Sequence, residues 1–301
     1  PPAEFESYYG QPIVKAPVWR DDIPSYLFTG GVAAGSALLA VGADATGRSR
    51  LRRAGRLAAV GATAASTYFL INDLGRPERF YHMLRVAKPT SPMSVGTWIL
   101  SGFGAAASVA AASELLGWRW LAGAGRVAGV AAAAAAPALA NYTAVLLSDT
   151  AVPSWHAAYH QLPYVFTGSA LASGAGVGLI AAPPEETGPA RRMAVAGAAI
   201  EFTASQSVEW RLGLLSEPYR TGRAGRLLRV GRALTAAGVA GAMLGRRSRV
   251  LSALSGAALL AGSAATRFGI YRGGVASAND PVYTVTPQKE RAVAKQRNGA
   301  R

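Results

Sequence analysis

The sequence predicts an all-α integral membrane protein with eight transmembrane helices arranged as two four-helix bundles. Half of the 301 residues are hydrophobic, and only 16% are charged, well below the roughly 25% of ordinary soluble domains. The charged residues crowd into short clusters, which separate long windows that carry almost none. This alternation is typical of a chain that crosses a membrane several times.

Eight apolar windows approach the length of about 20 residues that a helix needs to span a bilayer. Helices are expected because each backbone polar group in lipid must be satisfied within its own segment, and the period-two alternation of a β-barrel is not visible. In order, the windows are Pro24–Ala43, Ala54–Ile71, Met93–Leu116, Arg126–Leu147, Leu162–Ala182, Arg192–Val208, Leu227–Leu244 and Val250–Phe268.

The windows divide the chain into four parts. Residues 1–23 form an extramembrane segment, 24–149 the first four-helix bundle, 150–268 the second, and 269–301 an extramembrane tail. No signal peptide is expected, because residues 1–22 carry several charges and no apolar core.

Two pairs of segments echo each other. "IPSYLFTGGVAAG" (Ile23–Gly35) resembles "LPYVFTGSALASG" (Leu162–Gly174), and Arg52–Ser66 loosely resembles Arg191–Ser205. The echo predicts two parallel four-helix repeats. The open alternative is chance similarity between segments rich in alanine and glycine.

The net charge of +15 indicates contact with lipid rather than nucleic acid. The arginines stand at the ends of apolar windows, where they can reach lipid phosphates, and no nucleic-acid-binding motif accompanies them. Eight spans place both termini on one side, called here the terminal side. The loops on the opposite side are short and basic, which predicts that this side is cytoplasmic and that the termini lie outside the plasma membrane.

Residue usage limits what the chain can bind. There is no cysteine, so we expect no iron–sulfur cluster, disulfide or thiol nucleophile in this chain. The three histidines, His82, His156 and His160, fall between the windows, so we expect neither an intramembrane haem nor a metal site.

Polar and aromatic residues gather at the terminal-side ends of the first four windows. Aromatic walls, a few hydrogen-bonding groups and one carboxylate suit a quinone headgroup, whose carbonyls accept hydrogen bonds or protons. The alternative is that the carboxylate caps its helix or pairs with Arg76 or Arg79, and that the aromatic residues form an interfacial belt. The candidate residues are Tyr26, Thr29, Tyr68, Asn72, Asp73, Ser94, Trp98, Asn141 and Tyr142.

Glu201 is the only acid well inside an apolar window. A buried ionisable group is costly in a membrane, which makes it a candidate proton relay. It could equally pair with a neighbouring arginine or bond to a backbone carbonyl.

Three segments carry a resemblance to a known family. "DLGRPERFYHMLRVAKPTSPMSVGTWIL" (residues 73–100) resembles the signature of the NrfD/PsrC family, the polysulfide reductase-type membrane subunits that interact with quinone. "YLFTGGVAAGSAL" (residues 26–38) is similar to the first span of that family, and residues 141–174 are similar to its fourth span and the following loop.

The resemblance implies a subunit that is not catalytic alone and has no redox cofactor of its own. It implies docking to a ferredoxin-like iron–sulfur subunit, which contacts a molybdenum- or tungsten-pterin subunit of formate dehydrogenase-like or sulfur-compound reductase-like type. Menaquinone or ubiquinone would bind among the first four spans. The family's functional tyrosine matches Tyr142, and its acidic residue matches Asp73.

A second function class stays open from the residues alone. Two four-span repeats are also an architecture of transporters. In that interpretation the chain is a proton-coupled carrier, with Asp73 and Glu201 as the coupling acids.

Overall fold

The computed structural model describes residues 11–299, which form helices and turns with no strand among them. The first ten residues of the predicted N-terminal segment and the last two of the tail lie outside these. Eight long helices in the described part coincide with the eight apolar windows: α1 Asp22–Ala45, α2 Ser49–Asn72, α3 Pro92–Leu116, α4 Arg119–Ser148, α6 Leu162–Ala181, α7 Gly188–Arg211, α9 Gly222–Leu244 and α10 Arg249–Asn279. Shorter elements are α5 Pro153–Ala157, α8 Glu217–Arg220, α11 Val282–Gly299 and the 3₁₀ turns Pro77–Leu84 and Gly213–Ser216.

Six of the long helices are long and apolar enough to cross a membrane, namely α1, α3, α4, α6, α9 and α10. The prediction of an all-helical, multi-pass membrane protein is therefore confirmed. Helices α2 and α7 fall outside this group because both carry several charged residues. The finer prediction of eight spans in two bundles stays a prediction.

Local sequence signals set several helix ends. Ser91 caps α3 by accepting a hydrogen bond from the Ser94 backbone N–H at 3.5 Å, and Pro92 occupies the first helical position. Gly117 ends the same helix with a φ of +64°, a conformation that glycine adopts without strain. Helix α10 runs to Asn279, beyond the predicted end at Phe268.

The long helices pack as four antiparallel pairs, α1 with α2, α3 with α4, α6 with α7, and α9 with α10. Helix α1 also packs against α4, and α6 packs against α10. In each half, therefore, the first long helix contacts the last. The halves meet where α1 crosses α6. A Cβ on Gly35 would lie 2.0 Å from the Ala170 carbonyl oxygen, and a Cβ on Gly174 would lie 2.2 Å from the Gly35 carbonyl carbon. Each of these glycines is the last residue of one of the two similar segments.

An aromatic cluster organises the terminal side. The Trp155 side chain of α5 is fully buried, stacks against Trp19 at 6.0 Å between ring centroids, and donates from Nε1 to the Ile270 carbonyl oxygen at 2.9 Å. Its ring lies against Gly274, where a Cβ would come within 2.0 Å. The Tyr271 hydroxyl donates to the Trp19 carbonyl oxygen at 2.6 Å. The cluster thereby fixes α5 and the segment before α1 onto α10.

We expect Gly35→Val to destabilise the protein, because the new side chain would collide with the α6 backbone. Overpacking of this kind costs about 1–3 kcal/mol or more. The check is the thermal unfolding midpoint of the purified full chain in detergent. Gly42→Val is the matched control on the same helix, since a Cβ there meets nothing within 4 Å. Equal midpoints for the two variants would contradict the close crossing of α1 and α6.

Candidate functional site

The candidate site is a cleft of about 510 Å³ on the terminal side. The start of α3, the end of α4 and the short helix α5 form its walls. Its volume lies within the range of about 300–1,000 Å³ that is usual for pockets binding small organic molecules. The cleft is therefore large enough for an aromatic headgroup.

Tyr142 is the central side chain of this cleft. It is 7% exposed, and its ring meets that of Tyr26 edge-on at 6.4 Å between centroids. The ring also lies against Gly96 of α3, where a Cβ would come within 2.2 Å of Cε2. The buried Tyr142 hydroxyl has no hydrogen-bond partner in the described part of the chain. Because an unpaired buried hydroxyl is costly, this group calls for a partner such as water or a ligand.

His156 and Asp149 add proton-exchanging chemistry to the same cleft. His156 Nδ1 lies 3.0 Å from the carbonyl oxygen of Ser148. Since a carbonyl only accepts hydrogen bonds, Nδ1 carries the proton in the neutral ring, and Nε2 is left as an acceptor. Asp149 follows directly at the end of α4. A phenol, an imidazole and a carboxylate thus line one cleft.

The sequence argument placed Tyr142 in the site and grouped Asp149 with the polar residues at the same helix end without choosing it as a site residue, and it left His156 out of the site. Both follow the apolar window of α4, and only the docking of α5 beside α4 brings them to the cleft. Their short distance from Tyr142 along the chain was the available signal.

Three predicted site residues are engaged in contacts within the fold. The Thr29 hydroxyl donates to the Ser25 carbonyl oxygen of its own helix at 2.9 Å. Ser94 Oγ donates to the Val86 carbonyl oxygen at 2.9 Å, which holds the segment before α3. Asn141 Oδ1 accepts from the Thr167 hydroxyl at 2.8 Å and joins α4 to α6.

Asn72 binds the first residue of α1, and Asp73 binds the segment that precedes it. Asn72 Nδ2 donates to Asp22 Oδ1 at 3.0 Å, and Asp73 Oδ1 accepts from the Arg20 backbone N–H at 3.0 Å. Among the described residues, no salt bridge joins Asp73 to Arg76 or to Arg79. Neither Asn72 nor Asp73 lines the cleft. The structure thus gives Asp73 an anchoring contact that sequence reasoning had not considered.

Burial raises the pKa of the Asp73 carboxyl, and the nearby charge of Asp22 raises it further. The hydrogen bond from the Arg20 backbone N–H and the Arg20 charge oppose both effects. Asp73 is therefore protonated at a higher pH than an ordinary aspartate.

The remaining predicted residues lie away from the cleft. Tyr68 is 63% exposed and Trp98 is 46% exposed, and such exposure near a membrane face is typical of an interfacial aromatic belt. Glu201 is buried on α7, where its Oε1 accepts from the Thr266 hydroxyl at 2.7 Å.

Comparison with known proteins agrees with this picture. The family model described as polysulphide reductase, NrfD, matches residues 14–185, which include helices α1 to α6. No curated protein matches the sequence. The family comprises membrane subunits of polysulfide reductase-like complexes that interact with quinone. Because the match covers more than half of the chain, the protein belongs to the NrfD family.

Proposed function

We propose that this chain is the membrane anchor and quinone-reactive subunit of a multisubunit oxidoreductase. Electrons pass between an iron–sulfur subunit on the terminal side and quinone in the membrane. The observation that carries the proposal is the unpaired, buried hydroxyl of Tyr142 in a cleft that also holds Asp149 and His156. These three groups can hold a headgroup and exchange its protons.

The proposal includes eight spans in two four-helix bundles, formed by residues 24–149 and 150–268. Helices α2 and α7 fit this arrangement because several of their charges are paired with neighbouring helices. On α2, Arg52 Nη1 lies 2.9 Å from Asp44 Oδ1, and Arg52 Nε lies 2.7 Å from Glu114 Oε1. Arg56, which is 7% exposed, lies 3.0 Å from Glu114. Paired charges near a helix end are the form in which a membrane tolerates them.

The residues of the cleft have distinct tasks. A quinol bound there supplies two electrons and two protons. The Tyr142 hydroxyl donates a hydrogen bond to the headgroup, and the Tyr26 ring fixes the orientation of the Tyr142 ring. Neutral His156 accepts a proton at Nε2, and the Asp149 carboxylate can accept another. Asp73 lies outside the cleft lining and is proposed to take part in proton exchange on the terminal side, because its raised pKa brings it nearer to a mixture of both protonation states.

The partner surface is proposed to be the segment between α2 and α3. Its exposed side chains include Phe80, Tyr81 and Val86, and its bases include Arg76 and Arg85. Aromatic and basic side chains together favour docking of a protein with an acidic surface. The segment ends at Pro89 and Thr90, which line the cleft, so an iron–sulfur subunit docked there lies close to the headgroup.

The finer identity of the complex follows from the family resemblance alone. We propose a molybdenum- or tungsten-pterin catalytic subunit of formate dehydrogenase-like or sulfur-compound reductase-like type, and menaquinone or ubiquinone as the quinone. The complex is proposed to lie in the plasma membrane with the terminal side outside.

Tyr142→Phe should slow quinone-coupled turnover of the complex by about two- to tenfold, which corresponds to the loss of one hydrogen bond. Turnover of the catalytic subunit with a soluble dye should stay unchanged. Tyr164→Phe is the matched control, since Tyr164 is 64% exposed on α6. Equal quinone turnover in both variants would remove Tyr142 from the site.

Gly96→Ala should also lower quinone-coupled turnover, because its Cβ would displace the Tyr142 ring. The control on the same helix is Gly102→Ala, where a Cβ meets nothing within 4 Å. The two variants are compared in the quinone and dye assays. A normal quinone rate in folded Gly96→Ala would show that the position of the Tyr142 ring does not matter.

Two substitutions separate the proposed roles of Asp73. Asp73→Asn keeps an oxygen that can accept from the Arg20 N–H but removes the charge, whereas Asp73→Ala removes both. If Asp73 exchanges protons, we expect both variants to slow quinone turnover and only Asp73→Ala to lower the thermal midpoint. A normal quinone rate in Asp73→Asn would leave the residue with its anchoring contact alone.

The pH dependence of stability provides a further check on Asp73. Its pKa is raised in the folded protein, so the contribution of the protonated form to stability is lost as the pH rises through that pKa. Asp73→Asn should flatten this part of the thermal-midpoint profile. An unchanged slope would contradict the raised pKa.

A further inference from the structure

A buried carboxyl in the second half of the chain has incomplete hydrogen bonding. Glu201 is 2% exposed. Its Oε1 accepts from Thr266, but its Oε2 has no hydrogen-bond partner within residues 11–299. Buried polar atoms in folded proteins are nearly always paired, either with the protein or with ordered water. Oε2 therefore calls for a partner that the described chain does not supply.

Arg267 is a fully buried cation whose charge acts on the Glu201 carboxyl. No salt bridge within 4.0 Å joins the two side chains. Arg267 Nη2 donates to the Phe166 carbonyl oxygen at 2.8 Å, and the guanidinium lies over the Phe166 ring at 3.8 Å. Its Nε and Nη1 have no hydrogen-bond partner among the described residues. A purely structural pair would use its donors and acceptors on each other. Here both groups keep buried polar atoms without a hydrogen-bond partner in the described part of the chain.

A small cavity of about 30 Å³ lies beside Glu201. This volume has room for about two water molecules. Its walls include Ser205, Tyr219, Arg232 and Thr266, and the Tyr219 hydroxyl is also buried without a hydrogen-bond partner in the described chain. The cavity has both polar and apolar walls and is large enough for water, which can satisfy these groups.

The cavity shares four lining residues with an outer cleft on the terminal side. Glu209 and Arg232 line the cavity and form a salt bridge of 2.8 Å. The same pair, with Tyr219 and Leu228, also lines a wider cleft of about 440 Å³ beside α8 and the start of α9. Glu201, Ser205 and Glu209 are spaced at four residues on α7, so they share one helix face. This face connects the cavity to the outer cleft.

Toward the opposite side the helices pack closely. A Cβ on Gly197 would lie 2.7 Å from the Gly168 carbonyl oxygen, and a Cβ on Gly168 would lie 2.5 Å from the Glu201 backbone nitrogen. Farther along, Leu179 and Leu259 are fully buried. The polar path from Glu201 therefore leads to the terminal side.

We propose that Glu201 exchanges a proton with the terminal-side solution through this path, with Glu209 and Arg232 forming its neck. The O–H bond of the protonated carboxyl breaks, the proton passes to cavity water and then to bulk water, and the return follows the reverse route. No other reactant is required. Ionised Glu201 is stabilised by Arg267, whereas burial favours the neutral acid. The inference does not depend on the quinone site, which lies in the first half.

Infrared spectroscopy of the full chain in lipid nanodiscs tests the proposal. The spectrum of wild type minus that of Glu201→Gln isolates the carbonyl stretch of the protonated Glu201 side chain. We expect this band to lose intensity as the pH rises and to shift promptly when the buffer is changed to D₂O. The proposal is overturned if the band is missing at every pH at which the protein stays folded, or if it does not shift in D₂O.

Two variants test the route. Ser205→Leu fills the cavity and should slow the D₂O shift by about tenfold or more, a barrier of about 1.4 kcal/mol. Ser207→Leu, on the same helix but outside the cavity lining, should exchange as the wild type does. An unchanged rate in Ser205→Leu would show that protons reach Glu201 by another route and would overturn the proposed path.

A chemical readout covers the case in which Ser205→Leu does not fold. Dicyclohexylcarbodiimide, an apolar reagent, adds to protonated carboxyl groups in membranes and leaves a stable adduct that peptide mass spectrometry detects. We expect an adduct on Glu201 of the wild-type chain, with less labelling as the pH rises. Glu201→Gln, which lacks this carboxyl, is the control and should carry no adduct at that position. Absence of an adduct from Glu201 in the wild-type chain at low pH would overturn the proposal.

Discussion

The crossing of α1 and α6 is the constraint on which the rest of the structure depends. The two backbones approach so closely at Gly35 and Gly174 that neither position has room for a Cβ. Apolar surface gives little drive for association in lipid, so close packing of small residues has to hold such helices together. Helix α1 carries α2 and α4 on its other faces, and α6 carries α7 and α10. Both halves are therefore positioned by a contact that any larger side chain would disrupt.

Charge pairing is the second requirement, and it bears on α2, which falls outside the six candidate spans of the described residues. Arg52 and Arg56 lower the mean hydropathy of α2, yet they lie against Asp44 and Glu114 of neighbouring helices. Gly129 leaves room for the Arg56 guanidinium on α4, since a Cβ there would come within 3.1 Å of Nη2. A composition window counts each charge by itself and therefore misses the pairing that makes it tolerable in a membrane.

The sequence predicted what depends on local pattern, namely the eight helices and the position of Tyr142 near the terminal side. It did not predict which turns fold back onto which helices. His156 reaches the cleft because Trp155 is anchored against Gly274, more than a hundred residues later in the chain. Asp73 is anchored to the Arg20 backbone rather than to a neighbouring arginine. Hydrophobic periodicity carries no information on contacts of this kind.

Helix α5 connects the two sites that the structure suggests. His156 faces the Tyr142 cleft, while Ser154 Oγ donates to the Leu215 carbonyl oxygen at 2.9 Å, just before the helix that carries Tyr219. The Tyr219 ring in turn lies against Gly273 of α10. A shift of α5 on binding in the cleft would thus reach the wall of the Glu201 path through packed backbone rather than through a flexible loop. Since both sites open to the terminal side, a proton that enters and leaves each by its own path crosses no membrane potential.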